Sequence, residues 1–224
     1  MCIRDSIQAE YALGSCSSST RGLFAGSYQA PSNTRQMEYV EIATLGNALD
    51  FGDMSGVTRY GIAGLSSPTR GIFGGGRAKG ETGPYPANAT THEIDLVTIA
   101  SKGNSIDFGN MTFNGGYGGG LSNTTRGILG GSRPAAMNNI DYITIASTGN
   151  AEDFGDLTSA RAATQTGSTQ TRGVFVGGSP GPTQKTIDYI TISTAGNAID
   201  FGESGIAVDI AASVSDSHGG LGGF

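Results

Sequence analysis

The chain contains no tryptophan, only three lysines (Lys79, Lys102, Lys185), two histidines (His92, His218) and two cysteines (Cys2, Cys16) in 224 residues. Each shortage excludes something. Two cysteines form neither a disulfide framework nor a metal motif. Two histidines leave little for general acid–base work near neutral pH. Charged residues make up 14% of the chain, and the net charge is −6. That balance lacks the basic stripe a nucleic-acid partner needs. No apolar run approaches the ~18 residues of a membrane-spanning helix, so no membrane span is expected. Glycine is the residue in excess. Its 38 positions are about twice the usual ~7%. They alternate with short apolar runs, which argues against disorder.

A repeat underlies this pattern. Thr-Arg-Gly opens it at Arg21, Arg70, Arg126 and Arg172, and Asp-Phe-Gly closes it at Phe51, Phe108, Phe154 and Phe201. Openers lie 49, 56 and 46 residues apart, and closers 57, 46 and 47. A period near fifty decides the architecture before any other feature. The copies run over about 11–53, 57–110, 115–156 and 159–203, with a partial fifth at 205–224, all in one repeat domain of residues 11–224. His218-Gly219-Gly220-Leu221-Gly222-Gly223 repeats Arg126-Gly127-Ile128-Leu129-Gly130-Gly131. Residues 1–10 are set apart as a leader. The opening MCIRDS has no apolar segment like that of a secretory signal and resembles an adapter-derived, non-native leader. The fifth copy stops after two strands, so the chain is expected to be part of a longer protein, with one blade face exposed and a tendency to associate.

Four short strands are predicted per copy. The first strands are placed at Tyr11–Gly14, Tyr60–Leu65, Tyr117–Leu121 and Arg161–Thr166, with Ser15–Thr20 as a turn. In Ile140–Ala146, one face carries Ile140, Tyr142, Thr144 and Ala146, and the other carries Asp141, Ile143 and Ile145. Both are largely apolar and β-branched, as in a strand buried on both sides. Glycine punctuates every run, which disfavours helix. Gly149-Asn150 and Gly196-Asn197 suit tight hairpins. Short connections favour antiparallel meanders.

Repeated four-stranded units of this length are the signature of propeller blades. Gly177-Gly178, Tyr189 and Phe201, and in the third copy Gly130-Gly131, Tyr142, Phe154 and Arg161, resemble the Kelch repeat. Phe stands in place of the usual Trp, and Leu96 replaces Tyr in copy two. The wording TRGxFGGG…IDYITIASTGNAxDFGDL is similar to repeats in virion structural and tail-fibre-like proteins of marine bacteriophages. The fold expected is therefore an all-β, Kelch-like β-propeller of four full blades plus half a fifth, with a parallel β-solenoid as runner-up. Tyr142, Ile143, Ile145 and Phe154 should lie between blades.

The resemblance implies a non-catalytic binding or structural module in a virion or outside the cell. Its partners would be a host-surface glycan or protein, further blades, or other virion proteins. The alternative is a carbohydrate-acting propeller enzyme, a lyase or oxidase, with a central-channel site. No catalytic residue, cofactor or metal is assigned. A copper oxidase needs more histidine ligands than this chain offers. Asp50, Asp53, Asp107, Asp153, Asp156 and Asp200 match no calcium loop and read as caps. Gly74–Gly76 and Gly115–Gly120 lack the helix and Lys of a phosphate cradle.

Arg21, Arg70, Arg126 and Arg172, with Phe51, Phe108, Phe154 and Phe201, recur in every copy and read as structural. The arginines are expected to be mostly buried, holding blades together through acids such as Asp95, Asp141 and Asp188 or through backbone carbonyls. The segments 27–35, 77–91, 133–139 and 179–185 vary in length and emerge on one rim, where recognition tends to sit. Tyr28, Arg77, Tyr85, His92 and Arg133 are the side chains there suited to stacking or bidentate contact.

Overall fold

Short apolar runs separated by turn residues pair with their sequence neighbours, and that local pairing builds each blade. The computed structural model describes residues 7, 11–28, 34–78, 89–133, 135–179 and 183–209. Among them there is no helix. Strands β1 (Gly14–Ser17), β2 (Arg21–Ser27), β3 (Thr34–Glu41) and β4 (Leu49–Asp53) form the first sheet. A small pair, β5 (Arg59–Tyr60) with β8 (Arg77–Ala78), flanks the second sheet. That sheet holds β6 (Ala63–Ser66), β7 (Arg70–Gly74), β9 (Glu93–Thr98) and β10 (Ile106–Asn110). The third holds β11 (Gly119–Ser122), β12 (Arg126–Ser132), β13 (Met137–Thr144) and β14 (Glu152–Arg161). The fourth holds β15 (Gln165–Ser168), β16 (Arg172–Val176), β17 (Thr186–Thr191) and β18 (Ile199–Glu203). Neighbouring strands pair antiparallel in every sheet. The protein is a β-propeller with four described blades, and antiparallel pairing excludes the solenoid. Residues 210–224, which carry most of the expected half blade and His218, lie outside the described residues.

The first strand of each blade runs along the axis, with β6 between β1 and β11, and β11 between β6 and β15. These strands begin later than the sequence pattern predicts. Ala12, Gly61, Tyr117 and Ala163 adopt φ of 61, 63, 57 and 57° and end any strand approaching from the N-terminal side. The same residues join blade to blade: Gly61 N–H donates to the Ala12 carbonyl, Tyr117 to Gly61 and Ala163 to Tyr117, each at 2.7 Å. Serines read as turn residues instead lie in the axial strands. The hydroxyls of Ser66, Ser122 and Ser168 donate to the carbonyls of Ser17, Ser66 and Ser122 at 2.8, 2.7 and 2.8 Å.

The core consists of three layers, each between two blades. Leu23, Met37, Tyr39 and Phe51 of the first blade meet Phe73, Val97 and Ile99 of the second. Ile72, Ile94, Leu96 and Phe108 meet Leu129, Ile143 and Ile145 of the third. Ile128, Ile140, Phe154 and the partly buried Tyr142 meet Phe175, Ile190 and Ile192 of the fourth. Phe154, Ile143 and Ile145 are thus buried between blades, with Tyr142 packed against the layer.

The Asp-Phe-Gly closer forms a β-bulge. The ladder jumps from Asp107 to Gly109 opposite Asp95 and Ile94, which leaves Phe108 as the extra residue. Asp107 accepts from Gly109 N–H at 3.1 Å and fixes the bend. The bulge also receives the next blade. A Gly-Asn turn reaches across and completes the strand edge: Gly149 N–H donates to the Phe108 carbonyl at 2.7 Å and Ala151 N–H to that of Asn110 at 2.8 Å. Asn150 Oδ1 accepts from Asn110 N–H at 3.1 Å. The same triplet joins Gly103-Asn104-Ser105 to Phe51 and Asp53, and Gly196-Asn197-Ala198 to Phe154 and Asp156.

This contact explains why glycine follows the Phe. Gly109 has φ 144°, and a Cβ there would strike the Gly149 carbonyl. Gly202, its counterpart in the last blade, has φ 133° and nothing within 4 Å of that position. Gly109→Ala is expected to cost about 2–4 kcal/mol, from backbone strain plus collision. Gly202→Ala should cost only the strain, about 1 kcal/mol. Urea denaturation of the two variants measures the difference.

Candidate binding site at the channel mouth

The axial strands enclose a channel of about 550 Å³, within the ~300–1,000 Å³ common for small-molecule sites. Its wall is glycine, serine, threonine, Gln165 and a few apolar side chains. The one titratable side chain among the lining residues is Cys16. Its thiol lies against Gly71 of β7, and burial pushes it up from 9.0 to about 12. Such a thiol stays protonated and unreactive at neutral pH.

One mouth of the channel is aromatic. Tyr11 and Tyr28 are bridged through their backbones, with ring centroids 4.9 Å apart. Tyr28 packs edge-on to Tyr60 at 5.1 Å, and Tyr60 edge-on to Tyr117 at 6.0 Å. The Arg133 guanidinium sits 5.7 Å from the Tyr117 ring centre and donates to Ser179 Oγ at 2.7 Å. Arg77 pairs with Tyr60 in the small two-stranded sheet. Burial raises the Tyr117 hydroxyl, Tyr60 and Tyr11 add to the rise, and Arg77 and Arg133 oppose it. The four rings come from the segments preceding β1, β6 and β11 and from the end of β2. They therefore lie on the rim where the second and third strands connect.

The expected rim residues divide accordingly. Tyr28, Arg77 and Arg133 belong to this mouth. His92 faces Asn114, Nδ1 to Oδ1 at 2.7 Å. Tyr85 lies outside the described residues. Tyr11, Tyr60 and Tyr117 were read from sequence only as the starts of strands. The recurrence of a tyrosine two or three residues before three of the four axial strands was the available signal.

The opener arginines lie elsewhere. Arg21, Arg126 and Arg172 stack over Tyr39, Tyr142 and Tyr189 at 4.8, 4.4 and 4.7 Å. Arg21 pairs with Glu41 and donates to the Ile99 carbonyl at 3.0 Å. Arg70 donates to the Ile145 carbonyl at 2.8 Å, and Arg126 to that of Ile192 at 2.9 Å. They are half-buried, except Arg172, which is exposed. The closer rings Phe51, Phe108 and Phe154 are buried, and Phe201 is exposed.

The acids expected beside the openers have different partners. Asp95 binds Arg59, whose other arm holds Glu93 at 2.7 Å. Asp188 binds Arg161 at 2.8 Å, with both side chains fully enclosed. Thr158 adds two hydrogen bonds to Asp188, at 3.0 and 2.6 Å. Asp141 receives the same pair from Thr112, at 2.7 and 2.6 Å, and burial raises its carboxyl. Gly115 occupies the position that Arg59 and Arg161 hold in the neighbouring blades, so Asp141 lacks their guanidinium partner.

Among the described residues, no group of three His, Cys, Asp or Glu is placed to hold a metal ion, and no helix is long and apolar enough to cross a membrane. No protein-family model matches the chain, and no curated protein matches it. The fold alone defines its class, a β-propeller.

Two predictions follow from the burial of these groups. Asp188→Asn leaves the Arg161 cation enclosed and uncompensated and should cost about 3–5 kcal/mol. Asp141→Asn strands no cation and should cost much less in the same urea titration. In a Cys2→Ser background, Cys16 should resist an aromatic disulfide reagent at pH 8 until denaturant is added. Because folding raises its pKa, its contribution to stability is complete below about 9 and is lost as pH rises toward 12. Cys16→Ala should therefore be least costly, relative to wild type, at the alkaline end.

Proposed function

We propose that this propeller is a non-catalytic binding and structural module of a phage virion, a tail-fibre-like part that contacts a host-surface glycan or protein through the channel mouth. The observation that carries the reading is the cluster of Tyr11, Tyr28, Tyr60 and Tyr117 with Arg77 and Arg133 at the axis. Tyrosine rings offer a flat apolar face with a polar edge, which suits a sugar ring. Guanidinium forks suit its hydroxyls or a carboxylate. The placement in a virion rests on the likeness of the repeat wording to phage structural repeats. A rigid stack of blades that needs no cofactor fits such a part, and several copies would turn weak sugar contacts into avidity.

The rival, a carbohydrate-acting enzyme, needs titratable residues from several blades converging at the channel. The neutral channel wall and the use of Asp95, Asp141 and Asp188 between blades favour binding over turnover. A glycan array with the full chain tests both. Tyr28→Ala and Arg133→Ala should each weaken a bound glycan about tenfold or more, the loss of one stacking or charge-assisted contact. Cleavage or oxidation of a bound glycan would overturn the proposal, and so would binding that survives both substitutions.

A further inference from the structure

The four blades repeat one backbone position at the channel mouth and fill it differently. In each blade, the residue there bridges to the one just before a positive-φ position: Tyr28 to Tyr11, Arg77 to Tyr60, Arg133 to Gly116 and Ser179 to Ala162. The backbone is thus fourfold, and the side chains it presents are a tyrosine, two arginines and a serine. A requirement of blade stacking would recur in every blade. Variation at a constant position is the pattern of recognition residues on a fixed scaffold.

The positive-φ position varies in the same way. It holds Ala12, Gly61, Tyr117 and Ala163. Tyrosine is the strained occupant, because a bulky side chain disfavours a φ of 57°. Glycine at 61 shows that the turn itself needs no ring. The Tyr117 ring lies over Gly61, where an added Cβ would stand 3.1 Å from its carbons. Gly118, the next residue, lines the channel. The ring is therefore held at the head of the channel wall.

Arg133 is the second fixed element. Its backbone exchanges two hydrogen bonds with Gly116, at 2.9 and 3.3 Å. Its guanidinium sits 5.7 Å from the Tyr117 ring centre, and Nη2 donates to the buried Ser179 Oγ at 2.7 Å. Backbone, ring and hydroxyl hold an exposed cation in one place. Among the described residues, Arg21, Arg59 and Arg161 each pair with a carboxylate. Arg133 pairs with none there, and its Nε and Nη1 have no acceptor. Arg77 lies close enough to act on the same Tyr117 hydroxyl, and no carboxylate among the described residues does so. Two guanidinium groups thus converge on one ring in a chain of net charge −6. A neutral ligand leaves their repulsion in place. A carboxylate offsets it and matches the planar fork with two parallel hydrogen bonds.

We infer that the mouth selects an acidic saccharide, one whose ring carries a carboxylate, with that carboxylate on Arg133 and the apolar face of the ring on Tyr117. Arg77 adds to the attraction. The inference rests on the glycan-binding reading above and narrows it from glycans in general to carboxylated ones.

Calorimetric titration of the full chain tests it with matched ligands: uronic-acid and sialic-acid oligosaccharides, each beside its carboxyl-reduced counterpart. At least one carboxylated form should bind about tenfold or more tighter than its reduced partner, the effect of one charge-assisted contact. Arg133→Gln changes an exposed side chain, so it should keep the wild-type circular dichroism and melt, yet bring the carboxylated form down to the affinity of its reduced counterpart. Arg133→Lys keeps the charge without the fork and should retain only part of the preference. Tyr117→Gly suits the positive φ and should weaken both forms about three- to tenfold, the loss of one aromatic contact. Equal affinity for the two forms in both pairs would overturn the inference and leave the glycan-binding reading standing. A preference for the acid that survives Arg133→Gln, or tighter binding of a sulfated than of a carboxylated saccharide, would also overturn it. Binding of none of these ligands, with none across the glycan array, would overturn both readings.

Discussion

A sheet edge with free N–H and C=O groups must be completed or shielded, and among the described residues the neighbouring blade completes three of the four closer strands. The Gly-Asn turn of one blade lies along the closer strand of the blade before it and supplies two donors and one side-chain acceptor. Most of the molecule follows from that contact. The bulge at Asp-Phe-Gly turns the Phe into the interblade layer, and the glycine leaves room for the turn. The axial serines repeat the arrangement at the other end of the blade, hydroxyl to carbonyl. No blade holds its own core, since each of the three apolar clusters draws on two blades.

Charge is arranged by the same constraint. Asp95, Asp141 and Asp188 lie inside the joints, where Ser55, Thr112 and Thr158 from the chain before each joint, Ser105 beside Asp95, and Arg59 and Arg161 in two of the joints satisfy them. Arg21, Arg126 and Arg172 sit over tyrosines, and Arg21, Arg70 and Arg126 bind carbonyls across the joint. Few charges therefore remain near the axis, and the channel wall is neutral. Stacked rings and two arginines gather at one mouth, away from the joints. Among the described residues, the axis thus presents neutral polar groups, tyrosine and arginine.

Much of the architecture was legible in the sequence. The period near fifty, the glycine punctuation and the Asp-Phe-Gly closers led to four-stranded antiparallel blades. The alternation in Ile140–Ala146 correctly assigned Ile143 and Ile145 to the interblade layer, because a side-chain period of two depends only on local backbone geometry. Tyr28, Arg77 and Arg133 were picked out as rim residues on the same local grounds. The partners of Asp95, Asp141 and Asp188 were not legible. They come from positions 10 to 40 residues away, in another blade or a connecting segment, and the repeat gives no hint that Gly115 replaces an arginine in only one joint.

The axial strands show the same division. Ser15 to Thr20 have turn composition, yet the structure begins β1 at Gly14, because Ala12 takes a positive φ and the Ser17 carbonyl accepts from the Ser66 hydroxyl one blade away. Neither is a property of the local sequence. The mouth is similar: Tyr11, Tyr28, Tyr60 and Tyr117 are separated by as many as 106 residues and meet only because each blade returns its chain to the axis. By itself the sequence determined how each blade folds, since strand, bulge and turn are decided within about fifty residues by alternation, glycine and capping aspartate. The tertiary structure alone decided which side chains share the channel mouth and which buried charges find a partner, since both depend on how one blade stacks on the next.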